Sequence, residues 1–223
     1  MTQNVVVSTL INKVRLLSDM VNTQFVTDAE IILYLNSVYK DLYHFLASTY
    51  QDYFRSSTNI PLVPGTNEYA LPAAHWKTMG VDLITGGQNY TLKPWNFNER
   101  NRLKFSFNGK PIYYIVTGNN ILFRPDVAVN DTVTVYYVPV ATDITSSSQS
   151  VDFINGLDDL VAIKAAIYCK QKEESDVTIL MSMYEDKYKI FIDTFSTRDD
   201  GFPKRMTDVT AVNDRYWNFF YGV

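Results

Sequence analysis

TDAEIILYLNSVYKDLYHFLASTYQDYF, from Thr27 to Phe54, is the stretch on which the fold turns. It opens on a capping box: the Thr27 hydroxyl can accept from the Glu30 amide, and the Glu30 carboxylate can reach back to the Thr27 amide. Ile31, Leu35, Val38, Leu42, Phe45, Thr49 and Tyr53 then recur at spacings of three and four, the period of one helical face. The spacing predicts a helix to about Phe54, long enough to cross a domain. Upstream, Val7, Leu10, Val14, Leu17 and Val21 keep the same period, which predicts a first helix ending near Ser18-Asp19. The short connection between the two favours an antiparallel pair.

Downstream of Asn59 the pattern changes. Ile60-Pro61-Leu62-Val63-Pro64-Gly65-Thr66-Asn67 mixes extended residues with turn formers, and Tyr69-Ala70-Leu71-Pro72 reads as a strand closing a hairpin with it. Further strands are predicted at Thr78–Thr85, Tyr90–Pro94, Tyr113–Thr117, Ile121–Arg124 and Thr132–Val138. Gly86-Gly87 and Gly118-Asn119-Asn120 are the turns between them. Val133–Val138 is β-branched and aromatic without a breaker. Asn96–Phe105 reads as a short helix across the sheet, and the whole β region as antiparallel. Ser146–Ser150 reads as a polar loop.

Helical periodicity then returns. Asp158 and Asp159 suit the first turn of a third helix, where the dipole favours carboxylates, with Leu160, Ile163, Ala166 and Ile167 on its apolar face. A fourth helix is expected from Asp176 to about Phe195, presenting Val177, Leu180, Tyr184, Tyr188, Phe191 and Phe195. The fold class is therefore α+β: an antiparallel bundle of about four helices, an inserted antiparallel β domain and an extended C-terminal arm. The segments are 1–58 and 146–195 for the bundle, 59–145 for the β region and 196–223 for the arm.

The arm has neither a helical nor a strand period. Asp199, Asp200, Asp208 and Asp214 alternate with Arg198, Lys204, Arg205 and Arg215, and the end carries Tyr216, Trp217, Phe219, Phe220 and Tyr221. Disordered tails are poor in aromatics, so this one is built to bury something. Ordering a chain costs about 1–2 kcal/mol per residue, more than these rings and Phe202 can return alone. The arm is therefore expected along its own domain or on a neighbour.

Composition narrows the function. At 223 residues, 46% hydrophobic and 20% charged, the chain is of ordinary globular make-up, with 16 Tyr and 13 Phe. Tyr-rich surfaces often bind, and a Tyr-rich core is nearly as common. A net charge of -4 argues against a nucleic-acid or anionic-membrane binder. One cysteine, Cys169, precludes an intramolecular disulfide framework and a Cys-rich zinc site. No apolar run approaches the ~20 residues of a membrane span. MTQNVVVSTL has no basic segment ahead of its apolar residues, so no secretory signal is expected and synthesis is expected in the cytosol.

Catalytic signatures are missing: there is no GxGxxG, Walker, HExxH, GxSxG or CxxC sequence. His44 and His75 are the candidates for a general base. A surface role for His44 and a structural hydrogen bond for His75 account for them better. Asp158-Asp159 is explained by the helix dipole and Glu173-Glu174 by a solvated turn. A glycosidase pair of carboxylates has nothing to single it out. Cys169 suits a small core residue, and Arg100, Arg102 and Lys104 a solvated face. No cofactor or metal is expected, and no enzyme.

In the order of its elements the chain resembles the head-to-tail adaptor (connector, or head completion) proteins of tailed bacteriophages. The residues that carry the resemblance are the Thr27–Glu30 cap with LYLNSVYKDLYHFLA, the entry Ile60–Gly65, Tyr69-Ala70-Leu71-Pro72, TVTVYYVP from Thr132 to Pro139, and the paired helices leading into an arginine-bearing arm. The resemblance implies a structural virion protein of the neck, a ring subunit, typically twelve-fold, bound to the portal at the capsid vertex. It also implies a downstream tail or nozzle protein as partner, and genomic DNA passing through without specific binding. The docking role falls on the arm: Arg198, Phe202, Pro203, Arg205, Arg215, Tyr216, Trp217, Phe219, Phe220 and Tyr221. The alternatives are another tail or neck completion protein and a phage-associated cell-wall hydrolase.

Overall fold

The computed structural model describes residues 2–20, 25–99 and 109–196. Strand β1 (Thr2–Val6) runs directly into α1 (Val7–Ser18), which buries Val7, Leu10, Ile11 and Val14. Helix α2 (Asp28–Thr49) starts on the expected capping box. The Thr27 amide donates to Glu30 Oε2 at 2.9 Å, and the Glu30 amide to Thr27 Oγ1 at 3.3 Å. Ile31, Leu35, Val38 and Leu42 are buried as their spacing requires. The face then departs from expectation: Phe45 is 45% exposed and Thr49 is exposed, whereas Leu46 and Ala47 are buried. Tyr39 and Tyr43 also turn inward, which rotates the centre of the buried arc away from Phe45. Nor does the α-helix reach Phe54. It stops at Thr49, and Gln51–Phe54 form one 3₁₀ turn.

Arg15 holds α1 to α2. Its side chain is buried, and the guanidinium donates to the carbonyls of Met20 (3.1 Å) and Val26 (3.0 Å) and to the Asp28 carboxylate. An unpaired buried acceptor costs about 1–3 kcal/mol. Arg15→Met, which keeps the stem and removes the donors, is therefore expected to destabilise the chain by about 2–3 kcal/mol. The readout is a lower urea midpoint at unchanged slope.

The described β strands form three sheets. Ser150–Ile154 (β10) pairs with β1. The order β2 (Ser56–Pro61), β9 (Thr132–Pro139), β4 (His75–Thr85), β5 (Gln88–Thr91) makes an antiparallel sheet. The order β3 (Glu68–Ala70), β8 (Asn120–Arg124), β7 (Tyr113–Thr117), β6 (Lys93–Pro94) makes another. In that sheet β6 runs parallel to β7, so the β region is not wholly antiparallel.

The hairpin expected between Ile60–Asn67 and Tyr69–Pro72 does not form. β2 pairs with β9 and β3 with β8, in different sheets. Pro61 and Pro64 have no amide to give. Leu62 and Gly65 instead donate to the carbonyls of Asp131 and Val127, both at 2.8 Å. The Tyr69 hydroxyl closes the turn, accepting from the Val63 amide (2.8 Å) and donating to the Thr66 carbonyl (2.9 Å). Two further expectations are corrected. The described part of Asn96–Phe105 is a 3₁₀ turn at Phe97–Glu99, and residues 100–108 lie outside the described residues. Ser150, taken for loop, begins β10.

Helix α3 (Leu157–Lys172) packs against α1, α2 and α4 (Thr178–Ser196). The expected face of Leu160, Ile163, Ala166 and Ile167 is buried, and so are Leu157, Val161, Ala162, Ala165 and Cys169. The buried arc of α3 is thus wider than the expected face, with the polar residues Asp158, Asp159, Lys164 and Lys170 on the remainder. Its alanines let three neighbours approach. The described residues form two apolar cores, one among the helices with β1 and β10, the other between the two larger sheets. Strand β9 runs from one to the other, with Val133 and Val135 in the sheet core and Val138 in the helical one. The Tyr43 hydroxyl donates to the Pro139 carbonyl at 2.8 Å, fastening α2 to the end of that strand.

Candidate functional site

Each titratable candidate has a structural explanation. His44 is exposed on α2, its ring set edge-on to Trp76 at 4.8 Å. His75 Nε2 lies 2.8 Å from Thr78 Oγ1, its ring lies 5.6 Å from that of Tyr137, and burial pushes its pKa down. Cys169 is fully buried, and desolvation raises its thiol to about 11, far from a reactive thiolate. Glu173 and Glu174 are exposed in the turn after α3. Asp158 and Asp159 do occupy the first turn of α3. Asp159 has a second role that sequence reading missed: it bonds Lys13 of α1 and, at 2.5 Å, Lys187 of α4. Lys172 likewise joins the end of α3 to Glu30 (2.6 Å) and to the Phe25 carbonyl (3.1 Å). Neither partnership leaves a local signal, because each spans more than two dozen residues.

Among the described residues no group of three or more His, Cys, Asp or Glu could hold a metal ion, and no helix is long and apolar enough to cross a membrane. Arg100, Arg102 and Lys104 lie outside the described residues. So do the arm positions Arg198, Phe202, Pro203, Arg205, Arg215, Tyr216, Trp217, Phe219, Phe220 and Tyr221.

α4 runs to Ser196, the last described residue, next to Phe195, which is buried against Tyr50 (4.9 Å) and Tyr53 (5.1 Å) and stacks on Phe191 (5.8 Å). This end of the described chain thus lies where the helical body meets the 3₁₀ turn leading into β2. Beside this cluster, between the loop before α3 and the last turns of α4, lies a groove of about 540 Å³. Ile154, Phe191 and Phe195 line it, and Ile190, 67% exposed, stands at its lip. Gly156 also lines it at φ +90°, and a Cβ there would come within 3.5 Å of the Phe191 ring. The charged residues lining it, Asp159 and Lys187, are paired with each other.

The described residues thus form a mixed α/β fold of four helices and largely antiparallel sheets, with charged and aromatic side chains tying the elements together. The chain belongs to the SU10 adaptor protein family, whose model matches residues 7–210. That is consistent with a phage head-to-tail adaptor and with the structural, virion-borne character of the family. The match takes in all four helices, the larger sheets and the stem of the arm, Arg198–Arg205. Tyr216–Tyr221 lie beyond it. No curated protein matches the chain.

Proposed function

We propose that the chain is the repeating subunit of a head-to-tail adaptor ring that binds the portal at the capsid vertex and links it to the tail around the DNA channel. The observation that carries this reading is the family match, which spans the body and continues into the stem of the arm. Helical segments 1–58 and 146–195 form the body of each subunit, and the β region 59–145 faces the next tail component. Segment 196–223 is the docking arm, with Arg198, Phe202, Pro203 and Arg205 in its stem. Arg215, Tyr216, Trp217, Phe219, Phe220 and Tyr221 form its anchor.

Repeated contact between identical subunits closes a ring when the rotation closes, and a dodecamer fits the neck. A net charge of -4 per copy suits a channel through which DNA must slide, because a wall that gripped phosphates would retard it. A reconstruction of the particle at low resolution tests the proposal. The expected result is a ring of this chain between portal and tail; its appearance in a baseplate or along the tail would overturn it.

A further inference from the structure

The groove beside the last turns of α4 is of a size to take side chains, within the ~300–1,000 Å³ of ligand clefts. Its lining suits aromatic rings with a polar edge, such as Tyr and Trp. Ile154, Ile190, Phe191 and Phe195 supply apolar walls beside Asn155 and Thr194, and Lys187 is paired with Asp159 at 2.5 Å. Gly156 keeps it open, since no side chain stands over Phe191 at that position. Groove and arm share an origin: Phe195 lines the one, and the other begins after Ser196. Residues 197–223 carry the aromatic cluster Tyr216–Tyr221, the densest group of rings in the sequence outside the described residues.

Tether length permits a return. About twenty residues separate Ser196 from Tyr216, a reach of up to roughly 66–72 Å when extended, and Phe195 already lines the groove. A tethered segment meets its site at an effective concentration in the mM range. A second free copy offers the same segment only at its bulk concentration. Before assembly the chain's own arm is therefore the favoured guest.

We propose that in the unassembled chain the anchor Tyr216–Tyr221 seats in its own groove, between Ile154 and Ile190, and is withdrawn from it when a partner binds. The inference rests on the arm being the attachment device and adds where that device is kept before use. Stowage covers the rings that would otherwise drive association of free chains. The groove opens to solvent along Ile190, which leaves the anchor accessible to a partner.

The test is an engineered disulfide in the full chain, Ile190→Cys with Asn218→Cys, under mild oxidation. Ile190 is exposed, so its replacement spares the core, and Cys169 is buried with its thiol at about 11 and takes no part. The control pair is Leu16→Cys with Asn218→Cys, Leu16 being 76% exposed on α1. The expected product is a cross-linked monomer, in yield at least about five-fold above the control and unchanged over a roughly hundred-fold range of protein concentration. A ladder of linked multimers would assign the groove to a neighbouring copy and overturn the proposal. Cross-linking no better than the control would overturn it too. Portal co-sedimentation of the unsubstituted chain reads the adaptor function separately. A cross-linked monomer of the variant, with no portal binding by the unsubstituted chain, sinks the adaptor reading and leaves the stowed arm standing.

Discussion

A chain ending at Ser196 is expected to lose co-sedimentation with portal rings while keeping its fold. Among the described residues both apolar cores are built from positions up to Phe195, and α4 runs to Ser196. Phe195 is already covered by Tyr50, Tyr53 and Phe191 within the body. Truncation after Ser196 therefore keeps every described residue of both cores. The thermal midpoint should fall by only about 2–4 °C, the shift expected for ~1 kcal/mol in a chain of this length. Binding should suffer far more. Two aromatic anchors at about 2 kcal/mol each are worth roughly a thousand-fold in affinity, and the arm carries six such rings. Replacing Trp217, Phe219 and Phe220 together by Ala should reproduce most of the loss with the charged stem intact. Portal binding undiminished by either change would show that the body makes the attachment.

The sequence was most legible where local chemistry decides the outcome. The Thr27–Glu30 cap, the strand Tyr113–Thr117 and the turns at Gly86-Gly87 and Gly118 are each settled by a few neighbouring residues, and the structure has all of them. Long-range pairing was illegible. The residues Thr2–Val6 show no alternation that marks a strand, and only the distant Ser150–Ile154 gives them a partner. The supposed hairpin at Ile60–Pro72 failed for the same reason. Proline and glycine announce a turn but not which sheet receives the chain after it. Phe45 illustrates a third limit: a spacing rule gives a face to within about a quarter turn, and the inward tyrosines decide the remainder. For the candidate site, the aromatic arm was legible as composition. The groove beside its origin was not, because Ile154 and Ile190 meet only through the packing of α4 beside α3.

The two cores differ in what their loss would do. The sheet core closes around Phe123 and Ile121, both fully buried, and stands apart from the arm's origin. The helical core contains Phe191 and Phe195 and shares its wall with the groove. Damage to the helical core should thus reach the groove and the end proposed to attach, whereas damage to the sheet core should reach the end proposed to meet the tail.

Phe153→Ala is the sharpest test of that coupling. Phe153 is fully buried on β10, with its ring edge-on to Tyr39 of α2 at 5.1 Å. It therefore joins the β1–β10 ribbon to the long helix. Removing a buried phenyl ring costs about 3–5 kcal/mol, the transfer term and the cavity together. At 2–4 °C per kcal/mol this is a fall of roughly 10 °C in the midpoint. Phe45→Ala, at a ring 45% exposed on the same helix α2, should cost no more than about 1 kcal/mol. Calorimetry of the two variants measures the difference. Because Phe153 is followed by Ile154 at the groove wall and Gly156 at its floor, Phe153→Ala should also lower the yield of the Ile190–Asn218 cross-link below the melting transition. An equal yield at reduced stability would mean that the groove holds its shape without β10, and would confine the role of Phe153 to the core.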